Sequence, residues 1–356
     1  MHAESAAPTA APRVEFARPI KVLIVTDAWH PQVNGVVRTL EMLGKELRAR
    51  GHEVRYATPE GRITVPMPTY PEIRLSLFPR RELEKTIAEF NADAIHIATE
   101  GTLGLSARAI CLRRNIPFTT SFHTRFPDYV RARFPFVSEK FLFRALRWFH
   151  APATAMMVAT PSLKTELERH GFTNVKLWSR GVDVDLYRPM AKTRLDYPRP
   201  IFLYVGRVAV EKNIEAFLKL DLPGTKLVIG DGPQRAVLEK RYPQVRFLGP
   251  KMGEDLARHY AVSDVFVFPS RTDTFGLVML EALASGVPVA AYPVQAPLEV
   301  IGNAPVAALD EDLRAACMRA LAISPEACRR FALDHSWHAC TEQFLANLAL
   351  EGQLAD

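Results

Sequence analysis

The 356-residue chain is poor in cysteine. None of Cys111, Cys317, Cys328 and Cys340 stands in a Cys-x-x-Cys pair or at ligand-like spacing from a histidine. This argues against a disulfide framework and a structural zinc, and leaves reduced thiols in a cytoplasmic protein as the expectation. No apolar run approaches the roughly 20 residues of a membrane span. The first residues, rich in Ala and Pro, lack the basic start and apolar centre of a signal peptide. Residues 1–18 are therefore expected to be a disordered tail. Also missing is the glycine fingerprint of dinucleotide enzymes: the loop after the first apolar run, Ala28 to Gly35, does not contain it. At Gly230-Asp-Gly-Pro-Gln-Arg235 the last glycine of such a motif is replaced by Arg235. Both absences count against a nicotinamide-dependent dehydrogenase.

What is present is the composition of a globular protein, 48% hydrophobic and 24% charged, in a chain long enough for two domains. The net charge of +6 is uneven. Residues 1–180 hold 26 Lys/Arg against 17 Asp/Glu, or +9, and the rest hold 19 against 22, or −3. A basic half draws anionic partners: a membrane surface, phosphates or nucleic acid. Short apolar runs begin at Lys21, Glu53, Ala94, Phe118 and Met156, and again at Pro200, Lys226, Val245, Val265 and Val287. Helical stretches such as Val36–Arg50, Leu103–Arg114, Ser162–His170 and Phe275–Ala284 separate them. This alternation predicts α/β architecture with doubly wound sheets. The polar, Pro-bearing stretch 190–199 is the expected linker. It separates a first domain at 19–189 from a second at 200–334, and 335–356 carries a final helix.

Three groups of residues carry chemistry. Phe268 to Val289 reads as strand, loop, helix and strand, with Asp273 in the loop and Glu281 eight positions later, about two turns down the helix. The backbone N–H groups of Phe275, Gly276, Leu277 and Val278 at that helix start favour an anion. Carboxylates beside an anion pocket suit a ligand with hydroxyls at one end and phosphates at the other, as in a nucleotide sugar. The alternative is a buried strand–helix joint with two solvated acids. Secondly, Arg207 and Lys212 stand at a strand end and a helix start, where two cations can hold a diphosphate. Thirdly, residues 122–149 interleave aromatics with Arg125, Arg131, Arg133, Lys140, Arg144 and Arg147. On a helix from about Ser138, Lys140, Arg144 and Arg147 form one stripe, with Phe141, Leu142, Ala145, Leu146 and Phe149 covering much of the opposite side. Such a helix can lie on a membrane surface or pack on its own sheet. Nucleic-acid binding ranks behind both, and no such partner is expected.

The carboxylate–x7–carboxylate stretch, Gly206-Arg207 with Glu211-Lys-Asn213, Ser121-Phe-His-Thr124 and Arg180-Gly-Val-Asp183 together resemble retaining glycosyltransferases of the GT-B fold, family 4, group 1. They are similar in particular to bacterial mannosyl- and glucosyltransferases acting on diacylglycerol-type lipids. The resemblance covers nearly all of the chain after its tail. It departs at Asp273, where the family usually has Glu, and at Asn34-Gly35, where it often has Gly-Gly. It implies two Rossmann-like domains facing a central cleft, with the C-terminal helix crossing back to the first. It implies transfer of a hexose from a UDP- or GDP-sugar, with retained anomeric configuration and neither metal nor cofactor. In this pattern Arg207 and Lys212 neutralise the leaving diphosphate, helped by N–H groups after Thr274, and Asp273 grips sugar hydroxyls. Glu281 holds the ribose, backbone near Leu248 meets the base, Gly35 faces the diphosphate and His123 steadies the sugar. The implied acceptor is a membrane lipid such as diacylglycerol or a lipid-linked glycan. The enzyme would be cytoplasmic, peripheral on the inner face of the plasma membrane. A nucleotide-sugar epimerase of the same fold and a non-catalytic membrane-binding protein remain as alternatives.

Overall fold

The structure, a computed structural model, describes residues 16–30, 35–67, 70–123, 138–190, 197–273 and 275–348. The expected tail up to residue 15, linker residues 191–196, Thr274, Arg125, Arg131 and Arg133 lie outside the described residues. Two compact units result: Ala11–Ser179 with Cys340–Asp356, and Arg180–Ala339.

The first unit runs β1 (Lys21–Val25), α1 (Gly35–Ala49), β2 (Glu53–Ala57), β3 (Thr64–Met67), β4 (Tyr70–Ser76), α2 (Arg80–Phe90) and β5 (Ala94–Ile97). It continues with α3 (Thr102–Arg114), β6 (Thr119–Phe122), α4 (Glu139–His150), β7 (Met156–Val158), α5 (Pro161–Arg169) and β8 (Val175–Leu177). Six strands make a parallel sheet in the order β2-β1-β5-β6-β7-β8. Val22 faces Val54 on one side and Ala94 on the other. The antiparallel pair β3–β4, which the sequence pattern did not signal, stands apart from this sheet.

The second unit restarts with β9 (Ile201–Val205), a 3-10 turn (Val210–Lys212), α6 (Ile214–Leu218), β10 (Thr225–Ile229), α7 (Arg235–Arg241) and β11 (Arg246–Phe247). Then come α8 (Gly253–Val262), β12 (Val265–Phe268), α9 (Leu277–Ala284), β13 (Val289–Ala291), α10 (Gln295–Val300) and β14 (Ala307–Leu309). Helices α11 (Leu313–Ala320), α12 (Pro325–Leu333) and α13 (Trp337–Ala346) close the chain. Its parallel sheet has the order β11-β10-β9-β12-β13-β14, which within the unit is 3-2-1-4-5-6. Side chains alternate between two buried layers. Ile201, Leu203, Leu227, Phe266 and Phe268 enter one, and Phe202, Tyr204, Val228, Val265 and Val267 the other. A strand covered on both faces reads as an unbroken apolar run, which is why these strands were visible in the sequence.

Residues 180–189, assigned above to the first domain, pack in the second unit. The bulky ring of Tyr187 is 2% exposed within that unit's core, and Val182 pairs with Ser336. Arg329 of α12 pins the segment by donating to the carbonyls of Val184 and Tyr187. The final helix starts in the second unit and, from Cys340 onward, belongs to the first.

Candidate active site

Reversal of strand order in an open α/β sheet leaves a crevice at the carboxyl ends of the two strands where the direction changes. In the second unit those strands are β9 and β12, paired through Val265↔Phe202 and Phe266↔Leu203. The loops leaving them carry Arg207, Lys212 and Asp273. Three contacts tie the loops together: Asn213 Nδ2 donates to Pro269 O at 3.0 Å, Thr272 Oγ1 donates to Glu211 O at 3.1 Å, and Lys212 Nζ pairs with Asp273 Oδ1. The pair is largely enclosed, with side chains 29% and 20% exposed. Arg207 is open by comparison, 65% exposed, with Glu211 at 3.6 Å. Beneath them Tyr204 donates to Arg207 O at 2.8 Å. Burial, followed by the charges of Asp273 and Glu211, drives its phenol pKa well above the usual value. Tyr204 is thus a neutral donor that steadies the backbone under the cations. The sequence reading did not single out Tyr204, Thr272 or Glu211. Only Glu211 had a visible signal, its place in Glu-Lys-Asn.

The glycines of this loop pair serve backbone packing. A Cβ on Gly230, at φ +135°, would sit 1.9 Å from Gly206 O, and one on Gly232 would sit 2.4 Å from Val208 O. Gly206 N donates to Ile229 O and Val208 N to Asp231 O, so the two loops run side by side. The Gly-Asp-Gly stretch is therefore a close-approach device for the polypeptide.

Helix α9 begins at Leu277, two residues after the expected start at Phe275. Gly276 occupies the left-handed N-cap at φ +78°, and Phe275 lies before it, packed against the core. Leu277 and Val278 then supply the first N–H groups of the helix. Glu281 lies in the second turn of α9. It is 2% exposed, and its Oε2 accepts from the Tyr260 hydroxyl at 2.9 Å. The reason is the surroundings of α9, whose residues Met279 to Ala284 are all buried. Leu248 uses its N–H within the sheet, donating to Val228 O at 2.9 Å, so of its peptide groups only the carbonyl could serve a base.

In the first unit, His123 follows β6 and is half-buried. Its Nε2 lies 2.8 Å from Ser121 Oγ, and its ring meets Trp178 edge-on at 5.7 Å. Gly35 opens α1 and its carbonyl accepts from Thr39 Oγ1; a Cβ there would meet nothing within 4 Å, so nothing described requires glycine at this position. At the reversal between β1 and β5 the buried Asp27 accepts from the N–H groups of Leu103 and Gly104 and the hydroxyls of Thr99 and Thr102, capping α3. Burial raises its pKa against those donors.

Helix α4 buries Leu142, Phe143, Leu146 and Phe149. Phe141, expected on the covered face, is instead 58% exposed, as is Trp148. Leu142, Phe143, Leu146 and Phe149 form the inward stripe, with Phe143 stacked on His170 at 3.7 Å, and Phe141 and Trp148, seven residues apart, share the adjoining face. Lys140, Arg144, Arg147 and Arg169 line a recess of about 460 Å³ beside that stack. Among the described residues no helix is long and apolar enough to cross a membrane.

Two parallel α/β sheets, the second ordered 3-2-1-4-5-6 with Arg207 and Lys212 on the loop at its reversal, are the architecture of GT-B glycosyltransferases. The chain matches the family described as Glycosyltransferase Family 4 over residues 33–186 and Glycosyl transferases group 1 over residues 199–322. It is 30% identical over 309 residues to a GDP-mannose-dependent alpha-mannosyltransferase of Mycolicibacterium smegmatis, covering 79% of this chain and 82% of that protein. It is 32% identical to the sulfoquinovosyl transferase SQD2 of Arabidopsis thaliana, covering 73% of this chain but only 56% of the plant protein's length. An alpha-monoglucosyldiacylglycerol synthase of Acholeplasma laidlawii is 27% identical, over 76% of this chain and 79% of that one. The sucrose-phosphate synthase structure from Thermosynechococcus elongatus superposes with a TM-score of 0.68 at 23% identity, covering 92% of this chain and 98% of that one. The chain belongs to the group 1, family 4 glycosyltransferases, and is an enzyme that takes its sugar from a nucleotide-sugar donor.

Proposed function

We propose that this enzyme moves a hexose, with retention, from a UDP- or GDP-sugar to a membrane lipid such as diacylglycerol or a lipid-linked glycan. The observation that carries the donor half is the Lys212–Asp273 pair at the carboxyl ends of β9 and β12, with the open Arg207 on the same β9 loop. As the bond between the anomeric carbon and the diphosphate oxygen breaks, negative charge grows on the leaving group. Two cations and the first N–H groups of α9 offset that charge, the task a divalent metal performs elsewhere. An ammonium has three N–H donors and the pair with Asp273 uses one, leaving two for phosphate oxygens. Asp273 is thereby oriented for the sugar hydroxyls. Glu281, oriented by Tyr260, takes the ribose, and the carbonyl of Leu248 the base. In its own unit His123 is the side chain assigned to the sugar as it becomes oxocarbenium-like.

Support for a lipid acceptor comes from α4. Phe141 and Trp148 project beside Lys140, Arg144 and Arg147, the pattern of a helix that enters a headgroup layer while its cations meet anionic lipid. The A. laidlawii relative is named for a glycosylated diacylglycerol. The test is a screen of UDP- and GDP-hexoses against a membrane lipid extract, following labelled sugar into the lipid phase. Sugar interconversion without transfer would replace this reading by an epimerase. Replacing Arg207 with Ala is expected to lower turnover roughly 10²-fold, and unchanged turnover would remove it from the mechanism.

A further inference from the structure

Beneath His123 lies a second imidazole that the proposed chemistry does not use. His96, in β5, is fully buried between the edges of Trp178 and Phe344, with ring centroids at 5.7 Å and 5.0 Å. Its Nδ1 lies 2.9 Å from Thr119 Oγ1 and its Nε2 lies 3.1 Å from Ser121 Oγ. The same Ser121 oxygen is 2.8 Å from His123 Nε2. β5 and β6 are neighbouring strands, with His96 opposite Thr119, so the pairing that builds the sheet also lines up the row Thr119, His96, Ser121, His123.

A serine hydroxyl has one proton. Among the described residues the remaining acceptor near Ser121, the carbonyl of Ala98, is 3.5 Å away, too long to hold that proton against imidazole nitrogens at 2.8 and 3.1 Å. Ser121 therefore donates to one ring and accepts from the other. When it donates to His123 Nε2, His123 carries its proton on Nδ1 and His96 carries one on Nε2. When it donates to His96, both assignments reverse. In either setting the two neutral rings are opposite tautomers, and neither can change without the other.

We propose that Ser121 and His96 are positioning residues that hold the orientation of His123 and tie its protonated nitrogen to that of His96 through this shared proton. The inference rests on the assignment of His123 to the transferred sugar, and deepens it. A ring whose inner nitrogen is committed to Ser121 presents its other nitrogen in a protonation state that follows the tautomer of His96. An imidazole without that partner would sample both tautomers and several orientations.

The test has two independent readouts. In histidine-15N-labelled full-length enzyme near pH 8.5, about two units above an ordinary imidazole pKa, the tautomers of His96 and His123 are read from their nitrogen shifts. Assignment uses His96→Gln and His123→Gln. Opposite tautomers are expected in the wild type, and two rings of the same tautomer would overturn the proposal. His96→Gln is expected to move the His123 nitrogen shifts, and unmoved shifts would also overturn it. In the kinetic arm, Ser121→Ala is expected to lower kcat roughly 10- to 100-fold at unchanged donor KM, with Ser121→Thr, which keeps the hydroxyl, restoring it. A full kcat in folded Ser121→Ala would refute the positioning role. If the wild-type enzyme transfers no sugar, the proposed function fails while the tautomer measurement still stands or falls by itself.

Discussion

Replacing Lys212 with Met keeps the aliphatic stem and deletes only the charge. Two effects follow, and they separate. The first is on the fold: Asp273, four-fifths covered, would lose its ammonium partner. Losing a hydrogen bond between charged groups costs about 1.5–3 kcal/mol. The second is on the reaction: one donor to the leaving diphosphate disappears, worth about 10²- to 10³-fold in kcat, or 2.7–4 kcal/mol. Adding Asp273→Asn removes the uncompensated carboxylate. The double variant is therefore expected to recover most of the lost unfolding free energy and none of the turnover. The assays are chemical denaturation and release of nucleoside diphosphate from whichever UDP- or GDP-hexose the screen identifies. A folded Lys212→Met enzyme within about threefold of wild type, less than 1 kcal/mol on the barrier, would refute the assignment. A double variant that regained activity along with stability would reduce Lys212 to a loop clasp.

Gly230→Ala should destabilise the second unit by on the order of 3 kcal/mol or more, because its Cβ meets Gly206 O at 1.9 Å; an unchanged denaturation midpoint would contradict this. Burial holds the Cys111, Cys317 and Cys328 thiols up at about 12, against 9.0 for an exposed thiol. The folded chain thus keeps protons that the unfolded chain releases, so stability is full below pH 9 and falls as pH climbs from there towards 12; alkylation at pH 8 should wait on unfolding, and rapid alkylation of native protein would disprove it. Neutralising Lys140, Arg144 and Arg147 together should weaken partition onto anionic vesicles by about 3 kcal/mol, roughly 100-fold. Co-sedimentation indifferent to anionic lipid would end the membrane reading.

Much of the architecture could be read from the chain because parallel strands covered on both faces leave runs such as Ile201–Val205 and Val265–Phe268. Three other features were not readable. β8 buries only its first residue, β14 is Ala-Ala-Leu, and the β3–β4 pair lies outside the sheet. In the candidate site, Arg207, Lys212 and Asp273 were recognisable from charge at strand ends. Tyr204 was hidden because a strand tyrosine looks like core until its hydroxyl is found on Arg207 O. Glu281 was placed by helical spacing, which gives a face but not how deeply that face is covered. His96 likewise reads as one more residue of a buried strand. Its link to His123 exists only across the sheet, between positions 27 apart in sequence.

The last helix gives the first unit a debt to the far end of the chain. Phe344 closes over Trp178 and His96, Gln343 accepts from Ser179 N, Glu342 meets Arg50 at 2.6 Å, and Asn347 reaches Leu177 O. A stop codon just before Trp337 would leave every residue of that sheet in place yet uncover its aromatic interior. Such a truncation would damage the amino-terminal half most, and an amino-terminal piece cut off at the linker is expected to lose the same cover.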